Sequence, residues 1–171
     1  MKSRTKPIIN ETISNGNKVR FTWMYGADFT KYAPITQSYG IVFDTNGNIV
    51  LVQWENGEWG LPGGTPEKGE TPLDTLNREF MEEVDIEIKN PILLGVQKAE
   101  LIGKKSACVY QVRFVGLVKR IHAPTPDPDG GLINKRKFVN HKLIKKYINW
   151  GATGDKMFND SIFVYKNKLL K

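Results

Sequence analysis

GGTPEKGETPLDTLNREFMEEVDI, residues 63–86, decides how the fold is read, because it joins a glycine turn to a helix of unusual charge. Arg78, Glu79, Glu82 and Glu83 crowd four charged groups into six positions. At about 3.6 residues per turn, Glu79, Glu82 and Glu83 fall on one side of a helix. Leu73, Leu76, Phe80 and Val84 fall on the adjoining side, where a core can take them. Like charges at i,i+3 and i,i+4 each cost a helix roughly 0.2–0.5 kcal/mol, so something must offset the acidic stripe. A hard divalent cation is the natural candidate, since Mg²⁺ prefers carboxylate oxygens and completes its shell with water and substrate phosphates. The helix ends are well specified. Thr71 suits the N-cap, Pro72 the first helical position, and Asp74 the capping-box spacing. Upstream, Leu61-Pro62-Gly63-Gly64 forces a turn whose backbone can approach another group closely.

These residues resemble the signature of the Nudix hydrolases, G-x5-E-x7-R-E-U-x-E-E-x-G-U, where U is bulky and apolar. Gly64, Glu70, Arg78, Glu79, Phe80, Glu82, Glu83 and Ile86 match, and Asp85 stands where the family has glycine. The resemblance implies an α/β chain with the Nudix α/β/α sandwich built on a mixed sheet. It also implies a set of roles. Glu79, Glu82 and Glu83, with the backbone carbonyl of Gly63, correspond to metal ligands. Glu79, Glu83, Arg78 and Glu70 correspond to the catalytic group, in which Arg78 positions a glutamate and Glu70 is its expected partner. Relatives often add an acid from a loop beyond the signature, and here Asp127 and Asp129 are the preferred candidates, with Glu100 a third. Aspartate beside proline and glycine is also ordinary turn chemistry. At position 85, aspartate reaches the left-handed region more readily than most residues, so the helix can still end there. Its charge at a helix C-terminus is mildly unfavourable.

Composition bounds the rest. A chain of 171 residues, 40% hydrophobic and 25% charged, is long enough for a real core and reads as one domain over 1–171. There is no apolar run of membrane-spanning length, and MKSRTKPIIN lacks the apolar stretch of a signal peptide. Cys108 is the sole cysteine, so no internal disulfide forms and a reducing cytoplasm is expected. One cysteine and two distant histidines give no zinc pattern. Charge is uneven: residues 64–87 carry a net −6 in a chain of net +7, whereas residues 135–171 carry +8. An acidic cradle in a basic protein suits a polyanion arriving with its metal. The basic C-terminal third equally serves solubility or loose nucleic-acid binding.

Along the chain, residues 1–17 read as an irregular N-terminal arm and Val19–Tyr25 as a strand. Ser38–Phe43 and Ile49–Trp54 read as strands joined by Asp44-Thr45-Asn46-Gly47-Asn48. After the acidic helix, Ile86–Ile88 begins an extended segment. Ile92–Ile102 and Ala107–Val118 make a hairpin turning at Gly103-Lys104-Lys105. Residues 121–131 form a proline-broken loop, and Phe138-Val139 a last short strand. Helices are expected within 140–171, over Lys142–Ile148 and Asp155–Leu169, the second capped by Thr153.

The expected reaction follows from the cation, Mg²⁺ with Mn²⁺ as a substitute. Metal between the glutamates and a diphosphate neutralises charge and lowers the pKa of a bound water, and Glu79 or Glu83 takes its proton. The expected activity is hydrolysis of the pyrophosphate bond in a nucleoside diphosphate linked to a further group X. Substrates of that class are nucleotide-type small molecules or an RNA 5′ end. The rivals are a non-catalytic nucleotide sensor and RNA binding by the basic C-terminal third, although the aromatics of a stacking platform are not interleaved there. Trp23, Tyr25, Trp54, Trp59 and Trp150 are candidates to stack on a base, though most large aromatics are core. Cys108 reads as a small buried hydrophobe. Nothing in the sequence sets an oligomeric state.

Overall fold

IVF and IVLV, at residues 41–43 and 49–52, are apolar without a break, the mark of strands covered on both faces. The computed structural model describes residues 7–14, 16–103 and 107–171. In chain order it contains β1 (Ile8–Ser14), β2 (Asn17–Tyr25), β3 (Ile35–Phe43), β4 (Asn48–Gln53), β5 (Trp59–Gly60), β6 (Gly63–Gly64), α1 (Pro72–Val84), β7 (Ile86–Leu101), β8 (Cys108–Ile121), β9 (Lys135–Asn140) and α2 (Gly151–Val164). A 3₁₀ segment, His141–Lys146, precedes α2, and a π turn, Tyr165–Leu169, follows it.

The sheet runs β1-β2-β7-β8-β3-β4-β5, with β6 added to β3 and β9 to β4. β3 and β8 are parallel, and the other pairs are antiparallel, so the sheet is mixed as expected. Alternation sorts its residues between two layers. Val42, Val50, Val52, Val112 and Phe114 pack with Leu76, Phe80 and Val84 of α1. Ile41, Phe43, Ile49, Leu51 and Val115 pack on the other face with Met157, Phe158 and Val164 of α2. The α/β fold with helices on both sheet faces is therefore present. Two polar ties fix the helices. Ser38 donates its Oγ proton to the carbonyl of Pro72 at 2.5 Å, holding the start of α1 on β3. Trp23 Nε1 donates to Asp160 Oδ2 at 2.9 Å, holding α2 on β2, and Lys156 caps the other oxygen of Asp160.

Several expectations need correcting. The arm read as irregular is a strand over Ile8–Ser14, pairing from Ile8↔Trp23 to Ser14↔Asn17. Its polar composition hid it, although the Asn-Gly pair at 15–16 in the sequence is a strong hairpin signal. Leu73 is 37% exposed, and Thr75 takes the buried place near the start of α1. Thr153 is not a cap: α2 starts at Gly151 with Trp150 before it, and the Thr153 hydroxyl donates to the Trp150 carbonyl inside the helix. Packing of Met157 and Phe158 on the core substitutes for the missing cap. The helix expected over Lys142–Ile148 is the 3₁₀ segment His141–Lys146. β7 is one strand rather than two, kept in register with β8 through three irregularities. Cys108 is half-buried, its Sγ 3.8 Å from the Tyr110 hydroxyl. The turn expected at Gly103-Lys104-Lys105 lies partly outside the described residues.

Candidate active site

The glycine turn and the capped helix meet at β3. β6 pairs with Ser38 and Tyr39 of β3, and Gly63 adopts φ +139°, where a Cβ would lie 2.3 Å from the Ser38 carbonyl. A Cβ on Gly64 would lie 2.0 Å from Glu79 Oε1, so only glycine lets that carboxylate close on the turn. Both halves of the capping box form: Thr71 Oγ1 accepts from the Asp74 amide, and Asp74 Oδ2 accepts from the Thr71 amide. α1 therefore starts where its sequence specifies, and its pitch sets the glutamates that follow.

Arg78 is the hub of the acidic stripe. Nε donates to Glu70 Oε1 at 2.7 Å and Nη2 to Glu70 Oε2 at 3.2 Å, the fork that matches a carboxylate. Nη1 lies 2.8 Å from Glu82 Oε2 and 3.0 Å from Glu79 Oε1. The guanidinium holds the Glu70 carboxyl well down, at about 2, and in turn the carboxylates raise Arg78 above its ordinary value. Glu70 is thus Arg78's bidentate partner, and Arg78 also bridges to Glu82 one turn on.

Glu79 and Glu83 behave differently from Glu70. Burial raises Glu79, against the pull of Arg78, with Glu82 and Asp129 adding to the rise. Burial pushes Glu83 up to about 8; the Gly63 N–H, donating to its Oε2 at 2.8 Å, opposes this, while Glu79, Asp127 and Glu82 add to it. A carboxyl held this way stays protonated near neutral pH until positive charge arrives.

The loop after β8 brings the two aspartates within electrostatic reach of these glutamates. Asp127 is also a turn residue: its Oδ1 accepts from the Asp129 amide and its Oδ2 from Asn134 Nδ2. Glu100 is not drawn in, and forms a 2.6 Å ion pair with Lys98. Asp85 ends α1 in the left-handed region, φ 52° and ψ 45°. Its carboxylate is buried and accepts from both the amide and the hydroxyl of Thr125, the latter at 2.5 Å. Arg136 donates to the carbonyls of Val84 and His122, with Nη1 3.9 Å from Asp85 Oδ2. The charge that is unfavourable at a bare helix end is here spent on anchoring the loop that carries Asp127 and Asp129.

A divalent cation suits this donor set. Glu79, Glu82 and Glu83 offer hard oxygens, and two of them are held partly out of water, where added positive charge is most stabilising. Among the described residues no three acidic, histidine or cysteine side chains already converge as a finished shell. Arg78 occupies one oxygen each of Glu79 and Glu82, and the Gly63 amide one of Glu83.

Sequence reasoning passed over Tyr39 and Arg113. Burial raises Tyr39, Arg113 opposes, and Glu83 and Glu79 add to the rise, so the phenol adjoins the acidic site. The Arg113 guanidinium stacks 4.7 Å from the Tyr39 ring centroid. A lone arginine inside the apolar run of β8 was the available signal. Of the aromatics, Trp23 is core and Trp59 packs against it under Lys137. Tyr25 is exposed beside Lys156, whereas Trp54 and Trp150 line a cavity of about 630 Å³ beside Tyr39.

Comparison with known proteins bears on the fold and the family. A crystal structure of a Bacillus subtilis pyrophosphohydrolase, BsRppH, superposes with TM-score 0.65 at 16% identity, covering 95% of this chain and 99% of that one. A mutator MutT protein from Bacillus halodurans superposes with TM-score 0.53 at 24% identity, covering 72% and 78%. In sequence, the chain is 43% identical over 56 residues to an uncharacterized Nudix hydrolase, YvcI, of Bacillus subtilis, covering 32% of this chain and 35% of that protein. It is 38% identical over 82 residues to a MutT-like protein of Streptomyces ambofaciens, covering 47% and 53%. The matches thus span about a third to a half of these relatives. The NUDIX domain family matches residues 36–154, which contain the glycine turn, α1, Asp85 and the 121–131 loop, and the chain belongs to that family.

Proposed function

We propose that the chain is a divalent-metal-dependent hydrolase that cleaves the pyrophosphate bond of a nucleoside diphosphate linked to a further group. The observation that carries this reading is Glu83. Its carboxyl is half-buried, raised to about 8, steered by the Gly63 amide and faced by Glu79 and the loop acid Asp127. A merely solvated helix face would show none of this. Glu79, Glu82 and Glu83, with the Gly63 carbonyl, would hold the cation, Mg²⁺ by its preference for hard oxygens. When bound, that ion supplies charge neutralisation of the diphosphate and polarisation of an attacking water.

The chain's own residues do the rest. Glu83, ionised once positive charge is near, accepts the proton of the attacking water through its free Oε1. Arg78 keeps Glu79 and Glu82 aligned and is itself anchored by Glu70. Asp127 and Asp129, held by the Asp85–Thr125 contact, approach the substrate side of the glutamates. No helix among the described residues is long and apolar enough to cross a membrane.

A panel of nucleoside triphosphates, dinucleoside polyphosphates, sugar nucleotides and a 5′-triphosphate RNA, incubated with Mg²⁺ and resolved by mass, tests the reading. Release of a phosphate-bearing product from at least one member is expected, and lost in Glu83→Gln. Nucleotide binding with no turnover of any member over hours would overturn it in favour of a sensor.

A further inference from the structure

The loop between β8 and β9 is closed at both ends and stiff in between. At its tip it closes on itself: the Asp127 amide donates to the Leu132 carbonyl at 2.8 Å, and the Gly131 amide to the Asp127 carbonyl at 2.7 Å. The Asp127 carboxylate accepts from the Asp129 amide and from Asn134 Nδ2. At its root the loop is tied to the body of the fold. The His122 amide donates to the Asp85 carbonyl at 2.8 Å, and the Thr125 amide and hydroxyl donate to the Asp85 carboxylate. The His122 ring Nε2 lies 2.8 Å from Glu87 Oε1. Between root and tip stand Pro124, Pro126 and Pro128, whose rings fix φ at alternate positions. An arm stiffened in this way carries the direction of its root to its tip. Where Asp127 stands therefore depends on how the root is held.

One side chain holds that root and the acidic helix together. Arg136 Nη1 donates to the Val84 carbonyl at 2.6 Å, and Nη2 donates to the His122 carbonyl at 2.9 Å. Val84 follows Glu83 and is the last residue of α1, so its carbonyl has no partner within the helix. His122 follows the last residue of β8 and opens the loop. Nη1 also lies 3.9 Å from Asp85 Oδ2, so the carboxylate that receives Thr125 faces the same guanidinium. Arg136 is itself fixed, opposite Val52 in the pairing of β4 with β9. A planar guanidinium sets the spacing of two carbonyls rigidly, whereas a lysine ammonium is a point donor on a flexible stem. Neither Asp85 nor Arg136 belongs to the signature, in which position 85 is glycine.

Capping of α1 would explain the contact with Val84 and nothing more. The His122 carbonyl and the Asp85 carboxylate belong to the root of the loop. The group that ends the helix of Glu79, Glu82 and Glu83 is thus also the group that aims the arm of Asp127 and Asp129.

We propose that Arg136, acting with Asp85, is a positioning residue of the hydrolase described above: it sets the direction of the proline-stiffened arm and so the place of Asp127 beside Glu83. The effect on turnover rests on the hydrolase reading, and the arm itself is tested without it. Hydrogen exchange is measured residue by residue on the metal-free parent and Arg136→Lys. kcat and KM are measured with Mg²⁺ on the nucleotide of the panel that is turned over fastest. The same kinetics are measured in a variant carrying Asp127→Asn with Asp129→Asn, alone and combined with Arg136→Lys. In Arg136→Lys the His122 and Thr125 amides should exchange about tenfold faster, while those of Asp127 and Gly131, which close the tip, change by less than about threefold. kcat should fall about tenfold, with KM within about threefold. In the variant without the loop acids, Arg136→Lys should lower kcat by no more than about twofold further, because its effect passes through those acids. Unchanged exchange at the root, or acceleration that reaches the tip equally, would overturn the proposal. A tenfold loss of kcat that persists without the loop acids would also overturn it, leaving Arg136 as a cap of α1. A parent that turns over no nucleotide retires the hydrolase reading and the role in turnover, and the exchange pattern then decides whether Arg136 aims the arm. Turnover in the parent with kcat unchanged in Arg136→Lys overturns this assignment and leaves the hydrolase reading standing.

Discussion

Replacing Glu83 by glutamine is expected to stabilise the metal-free protein while removing its activity. The Glu83 carboxyl is displaced from 4.5 to about 8, chiefly by burial. A raised folded-state value means that stability is fully present below pH 4.5, where both states bind the proton, and is lost as pH rises through about 8. At about 1.4 kcal/mol per unit, the full displacement corresponds to about 5 kcal/mol above that range. Residual solvent contact and screening reduce this to about 2–3 kcal/mol. Glutamine carries no charge at any pH and can still accept from the Gly63 amide through its side-chain oxygen. Urea unfolding in EDTA at pH 5, 7 and 9, comparing parent and Glu83→Gln, isolates this group because the other titrations are largely shared. The two proteins should differ least at pH 5 and diverge with pH, the variant being more stable by about 2–3 kcal/mol at pH 9. Parallel profiles, or a variant weaker at pH 9, would refute a half-buried carboxyl kept for cation binding. Added Mg²⁺ should raise the parent's stability at pH 9 more than the variant's.

Other substitutions probe the supports. Gly64→Ala places a methyl group on the Glu79 carboxylate, whose flexible end can yield. Stability should fall by less than about 1 kcal/mol, but Mg²⁺-dependent turnover by tenfold or more, as read by thermal melts beside product mass. Arg78→Lys cannot span Glu70, Glu79 and Glu82 with one ammonium, so kcat should drop about tenfold with KM changed less than threefold. Asp85→Gly restores the family residue and relieves the left-handed backbone, a gain of about 0.5–1 kcal/mol. It also removes the carboxylate that Thr125 donates to, a loss of about 1.5–3 kcal/mol. A net destabilisation of about 1–2 kcal/mol is expected, with faster amide exchange at Thr125 than in the parent. Unchanged exchange there would remove the anchoring role.

Much of the catalytic side was legible because its information is local. The Thr71–Asp74 box, the pitch that groups Glu79, Glu82 and Glu83, and the reach of Arg78 to Glu82 all lie within a few turns of one helix. The strands around IVF and IVLV were legible from their apolar runs and the turn between them, whereas the helices on both faces came only from the family resemblance. The Ile8–Ser14 strand was missed because its pairing with β2 comes from partners, not from its own polar sequence. Thr153 was misplaced because packing of α2, not a side-chain cap, fixes where that helix starts.

What the sequence alone determined is therefore the acidic helix, its cap, its glycine turn and the family they mark. Tertiary structure decided the rest. It gave Asp85 a partner forty residues away in Thr125, raised Glu83 by closing the turn and loop over it, and set Arg113 against Tyr39, Gln111 and Gln97 around one cavity. Burial and long-range register exist only after the chain has folded, and desolvation, which distinguishes Glu83 from Glu70, has no trace in residue spacing.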